Sequence, residues 1–141
     1  MQMKHTQAYR NQHDEIRSAT RALAAVVSGG DMPAIRKALT HLSALIDVHV
    51  YLEDSAFYPA LYKHADPELG RIAKAYQESM GKLASVYTAF CSRWMRPGAI
   101  EEDASGFAKE LGDVCTTLER RMDLENNTLY MMVDGLTNIA V

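Results

Sequence analysis

The sequence has little sulfur, little excess charge and no long apolar run, and each shortage excludes something. Only two cysteines occur in 141 residues, Cys91 and Cys115, far apart and without C-x-x-C spacing. Both fall in helical patterns and read as reduced, buried thiols of a cytoplasmic protein. Lys and Arg number 15 against 18 Asp and Glu, for a net charge of -3. That balance creates no field that would collect nucleic acid, and no helix face gathers the basic residues. No segment approaches the roughly 20 apolar residues that a bilayer span requires. The opening "MQMKHTQAYRNQHDEIR" shows no unbroken apolar run of the secretory kind. Strand signals, internal repeats and low-complexity tracts are also missing. With no nucleophile beside a partnered base and no phosphate-binding loop, catalysis is the weaker expectation.

What is present suits a soluble globular chain: 48% hydrophobic and 23% charged residues in 15.7 kDa, enough for a single domain over residues 1–141. Turn signals cut it into four helices. "SGGDMP" ends one helix on glycines and starts the next with Asp31 as N-cap and Pro33 in the first turn. "KHADPELG" repeats the device with Asp66 and Pro67. "RPGAIEED" closes the third helix and places acids in the first turn of the fourth, where the helix dipole favours them. Helices are therefore expected at about 6–28, 31–63, 66–95 and 100–137, with Pro59 kinking or ending the second. Four long helices with short connections predict an all-α, antiparallel up-down four-helix bundle.

The inward stripes carry the functional signal. In the fourth helix Phe107, Leu111, Val114, Leu118, Arg121, Glu125, Thr128, Met132 and Leu136 alternate spacings of four and three, the seam pattern of a bundle. Arg121 and Glu125 interrupt it. The second helix runs Leu42, Leu45, His49, Leu52 and Ala56, with Glu53 alongside. The first runs His13, Ile16, Thr20, Leu23 and Val27, and the third Leu69, Ile72, Tyr76, Ser79, Leu83, Val86 and Phe90. Polar groups from several helices thus meet at one level of the core, where unpaired charge costs several kcal/mol. Two resolutions are open: an ion-pair network in which Arg121 is clamped by Glu53 and Glu125, or a metal ion. His49-x-x-x-Glu53 sets imidazole and carboxylate one turn apart on one face. Such ligands suit iron, manganese or zinc, and not copper(I) or iron-sulfur clusters.

On "QHDEIR", "HVYLEDSAFYPAL" and "RMDLENNTLYMMV", the chain resembles the hemerythrin-like, or HHE cation-binding, domains over nearly its whole length. The resemblance implies a four-helix bundle holding two irons through a histidine on helix one, His-x-x-x-Glu on helix two, a histidine on helix three and His-x-x-x-Glu on helix four. His13, His49, Glu53 and Glu125 match that pattern. The third-helix histidine position falls within about one residue of Ser79, and Arg121 stands where the fourth-helix histidine belongs. One half-site is whole and its neighbour has lost both histidines. The expectation is a single ion on His13, His49, Glu53 and Glu125. Arg121 would stand in for the second metal and fork between carboxylates, while Tyr9 would hydrogen-bond nearby.

Reversible O2 carriage needs both irons, so the resemblance implies a sensing or regulatory role instead, with O2 or NO as possible metal ligands. The alternative is a metal-free bundle acting on a protein partner, as anti-sigma regulators do. "LYMMVDGLTNIAV" adds the hint of an apolar outer face and a homodimer. Arg17 and the acids Glu101, Glu102 and Asp103 are expected to be plain solvated residues.

Overall fold

The computed structural model describes residues 4–141. Its elements are α1 (Gln7–Gly29), α2 (Met32–Leu52), a π-helical turn π1 (Glu53–Phe57), α3 (Tyr58–Lys63), α4 (Pro67–Trp94), α5 (Ala99–Glu102), α6 (Ala104–Leu124), a second π turn π2 (Glu125–Leu129) and α7 (Tyr130–Asp134). Since α2-π1-α3 and α6-π2-α7 are each continuous rods, four long helices make the bundle. Among the described residues there is no strand and no helix long and apolar enough to cross a membrane.

The connections follow the expected turn chemistry. Gly30 adopts a left-handed φ of 71° after α1, which a residue without Cβ reaches at no steric cost. The Asp31 side chain accepts from Ala34 N at 3.2 Å, and Asp66 from Glu68 N at 3.0 Å. The fourth helix departs from expectation. Glu101 and Glu102 belong to the one-turn helix α5, and the backbone breaks at Asp103, whose carboxylate accepts from Gly106 N at 3.0 Å to cap α6. Asp103 is thus a structural cap, and Asp103→Ala should cost about 1 kcal/mol in urea unfolding.

Pro59 does not end its helix. The turn ahead of it widens instead, Tyr58 N reaching back to Glu53 O, and α3 continues to Lys63. A π turn takes up one extra residue and so rotates everything after it. In the last helix this shows directly: the stripe holds through Phe107, Leu111, Val114, Leu118, Arg121 and Glu125, then passes to Leu129 and Val133, which are fully buried. Thr128 is exposed and Met132 and Leu136 are only half-buried. In the second helix Ile46, Phe57 and Leu61 take the inner places expected for Leu45, Leu52 and Ala56. In α4 the buried line is Leu69, Ala73, Met80, Tyr87, Phe90 and Trp94, leaving Val86 outside and Ser79 at the margin.

Buried apolar residues fall into two clusters. The larger contains Ile16, Leu23, Ile46, Phe90, Phe107, Leu118 and Met122; the smaller contains Tyr9, Phe57, Tyr58, Leu61, Ala73, Leu129, Tyr130 and Val133. Along three of the rods the sequence passes from one cluster to the other through buried polar residues: Tyr9–His13–Ile16, Ile46–His49–Glu53–Phe57, and Leu118–Arg121–Glu125–Leu129; α4 crosses at Met80. The candidate site is therefore a polar layer across an otherwise apolar interior. The first and third rods run from the smaller cluster to the larger and the second and fourth run back, so the bundle is antiparallel, up-down-up-down.

Ion pairs tie the rods together from outside. Arg17 is not a free surface group; its guanidinium donates to Glu119 at 2.9 Å and Asp123 at 2.6 Å, bracing α1 against α6. Asp134 accepts from Thr6 N and Thr6 Oγ1 at 2.9 Å and from Arg10 at 3.2 Å, so the end of α7 caps the start of α1. The tail that suggested a dimer is largely spent within the chain. Leu129, Tyr130 and Val133 are buried, and Ile139 and Val141 pack against them, while Met131 remains 62% exposed.

Candidate metal centre

His13 of α1 and His49 of α2 point their Nε2 atoms at one another, 3.1 Å apart. Their other nitrogens are engaged: His13 Nδ1 with Asn126 Oδ1 at 2.8 Å, and His49 Nδ1 with Gln12 Oε1 at 2.6 Å. A carboxamide oxygen only accepts, so each ring carries its proton on Nδ1 and presents a bare lone pair at Nε2. Two lone pairs facing at hydrogen-bond distance repel unless an electron-poor centre lies between them. Burial disfavours the proton as that centre: desolvation pulls the His13 pKa down to about 4, against the opposing pull of Glu125, and also lowers that of His49.

Carboxylates complete the layer. Glu53, the first residue of π1, has Oε1 at 3.1 Å from His49 Nε2; Glu125, the first residue of π2, has Oε1 at 3.7 Å from His13 Nε2. His13, His49 and Glu125 offer donor atoms that all lie within 4.8 Å of one another. Ligands sharing one ion at about 2.1 Å lie about 3 to 4 Å apart; the pairs at 3.1 and 3.7 Å fit, while Glu53 reaches His49 and stands outside the group of three that meets within 4.8 Å. Two buried carboxylate oxygens have no hydrogen-bond donor, Glu53 Oε1 and Glu125 Oε2. For the first the reason is plain, because its neighbour His49 Nε2 has no proton to give. Burial pushes both carboxyl pKa values up, and that of Glu125 reaches about 8 with Glu53 beside it. The donor set, bare imidazole nitrogens with undonated carboxylate oxygens, fits a divalent ion.

Arg121 behaves differently from expectation. It does not fork between the carboxylates. Nε donates to Glu125 Oε1 at 3.3 Å, while the two terminal nitrogens turn to Ser79 Oγ at 3.1 Å and the Tyr76 carbonyl at 2.8 Å. The Tyr76 ring lies 5.2 Å from the guanidinium carbon and adds a cation–π contact. Ser79 is therefore an acceptor for Arg121. Tyr9, expected to hydrogen-bond, contributes packing: its ring meets those of Phe57 and His49 edge-on at 5.1 and 6.2 Å.

The hydrogen bond comes from Tyr130 instead, a residue the stripe did not select. Its hydroxyl donates to Glu53 Oε2 at 2.8 Å and lies 3.5 Å from His13 Nε2, with its ring stacked on His13 at 5.3 Å. The widened turn at π2 brings it inward. Gln12 and Asn126 were also missed. Each neighbours a site residue in sequence but serves a histidine of another helix, Gln12 from α1 to α2 and Asn126 from π2 to α1.

The described hemerythrin HHE cation binding domain matches residues 4–133. The chain belongs to this family. No curated protein and no solved structure matches it. His13, His49 and Glu125 form the group of side chains able to hold a cation here, and Glu53 adjoins it through His49. Arg121 and Ser79, the residues expected in place of further histidine ligands, bond to one another.

Proposed function

We propose that the protein holds one divalent ion, iron or else manganese or zinc, on His13, His49, Glu53 and Glu125. Its role is then sensing or regulation and not O2 carriage. The observation that carries this is the pair of Nε2 lone pairs held 3.1 Å apart by two carboxamide braces. Such braces orient ligands and raise their basicity, and losing one typically costs 10- to 100-fold in metal affinity. A bound iron with open positions would supply a Lewis-acidic centre able to take O2 or NO. The residues themselves do the rest. Tyr130 holds Glu53, Arg121 balances the charge of Glu125, and the ring of Tyr9 helps wall the layer from solvent. Once Glu125 has released its proton, two carboxylates with one guanidinium and neutral imidazoles leave the layer at about -1, which attracts a cation. A regulatory role implies a protein partner to which the state of the metal is passed, and the free thiols Cys91 and Cys115 suit a reducing compartment such as the cytoplasm.

The test is metal analysis of protein purified without a histidine tag after growth with iron, manganese and zinc. About one ion per chain is expected; under about 0.2 overturns the proposal. The second reading, a metal-free regulator built on an ion-pair network, draws support from the Arg121–Glu125 and Arg121–Ser79 bonds. It predicts that chelators leave the melting temperature unchanged, whereas a resident ion makes melting depend on ion concentration.

A further inference from the structure

Between α4 and α6 lies a surface groove of about 470 Å3, within the size range of small-molecule sites. Its charged lining is wholly cationic, Lys82, Arg120 and Arg121 beside the neutral Ser79 and Thr117, and no carboxylate lines it. Neither Lys82 nor Arg120 forms an ion pair among the described residues. The groove of about 540 Å3 between α1 and α6 differs in this respect, because Glu119 and Asp123 line it beside Arg21 and Arg120.

The rest of the groove is apolar: Leu83 with Val86 and Leu124, which are 59% and 47% exposed. Two of the few large hydrophobic side chains left in water thus flank the unpaired cations. At its inner end sits Arg121, 8% exposed and fixed by Glu125, Ser79 and the Tyr76 carbonyl. A guanidinium has five N–H groups, and three are accounted for by those bonds. A rigid, desolvated fork with donors to spare binds a carboxylate far better than a mobile surface lysine does.

We propose that this groove binds a small amphiphilic carboxylate, its head against Arg121, Arg120 and Lys82 and its apolar body along Leu83, Val86 and Leu124. Charge complementarity decides the head and the exposed aliphatic walls decide the body. The proposal does not depend on metal at the neighbouring layer, although Arg121 touches both.

Calorimetric titration with decanoate at low salt tests it, with decanol and inorganic phosphate as controls, on the wild type and on the double variant Lys82→Gln/Arg120→Gln. Both substituted residues are exposed, so the variant should fold, as circular dichroism would verify. One decanoate per chain is expected, with affinity at least tenfold above that of decanol or phosphate and falling tenfold or more in the variant. Lack of saturable binding, equal affinity for either control, or an unchanged variant overturns the proposal.

Discussion

Arg121→Met should destabilise the metal-free protein by about 3 to 5 kcal/mol at pH 8, read from urea unfolding in the presence of a chelator. Among the described residues the guanidinium is the one cation bonded to the buried carboxylates, through Glu125. Its loss also removes the bonds to Ser79 and the Tyr76 carbonyl. The penalty carries a pH signature. Without Arg121 the carboxyl groups keep a proton to still higher pH, so the folded state binds more protons than the unfolded chain. Stability lost that way is intact below the ordinary carboxylate value of 4.5 and disappears as pH rises. The variant should therefore approach the wild type at pH 5. A difference of the same size at both pH values would mean that Arg121 contributes packing and not charge.

Apparent zinc affinity, measured against a competing chelator, is expected to rise about tenfold per pH unit from pH 6 to 8 and flatten above. Glu125 retains its proton up to about 8 and must release it to bind an ion, while His13, depressed to about 4, is already neutral throughout that range. Metal-free stability runs the other way. The raised Glu125 contributes stability that is full below 4.5 and lost as pH climbs through 8; the depressed His13 contributes stability that is full above 6.5 and lost as pH falls toward 4. Between 4.5 and 6.5 the two oppose each other. From 6.5 to 8 the raised carboxyl groups dominate, at about 1.4 kcal/mol per pH unit for each proton held. The stabilisation given by the ion should thus widen with pH, and affinity independent of pH would remove Glu125 from the ligand set.

Much of this was legible because helical spacing alone decides which side chains face inward over a few turns. His13, His49, Glu53, Arg121 and Glu125 interrupt apolar stripes, and a buried charge must have a reason. The spacing stopped working where the helix stopped being an α-helix. Thr128 and Met132 continue the arithmetic of the fourth stripe, yet Leu129 and Val133 are the buried residues because π2 inserts one residue. Tyr130 was invisible for the same reason. Gln12 and Asn126 could not be found from a periodic pattern, since each lies beside the stripe and reaches across to another helix. Asp103 was hidden by its neighbours: a run of three acids reads as a solvated helix start, and only the backbone break shows which one is the cap.

The division of the interior into two oily compartments has a mechanical consequence. The smaller compartment, whose apolar residues include Phe57, Leu61, Leu129 and Val133, is reached along two of the rods only after the chain has passed the widened turns that open on Glu53 and Glu125. Its walls are held in register with the rest by whatever pins those two glutamates. The occupant of that layer, be it a proton or an ion, acts as the rivet joining two storeys of one building, and a change of rivet is felt first in the lower floor and in the tail, Ile139 and Val141, that rests against it.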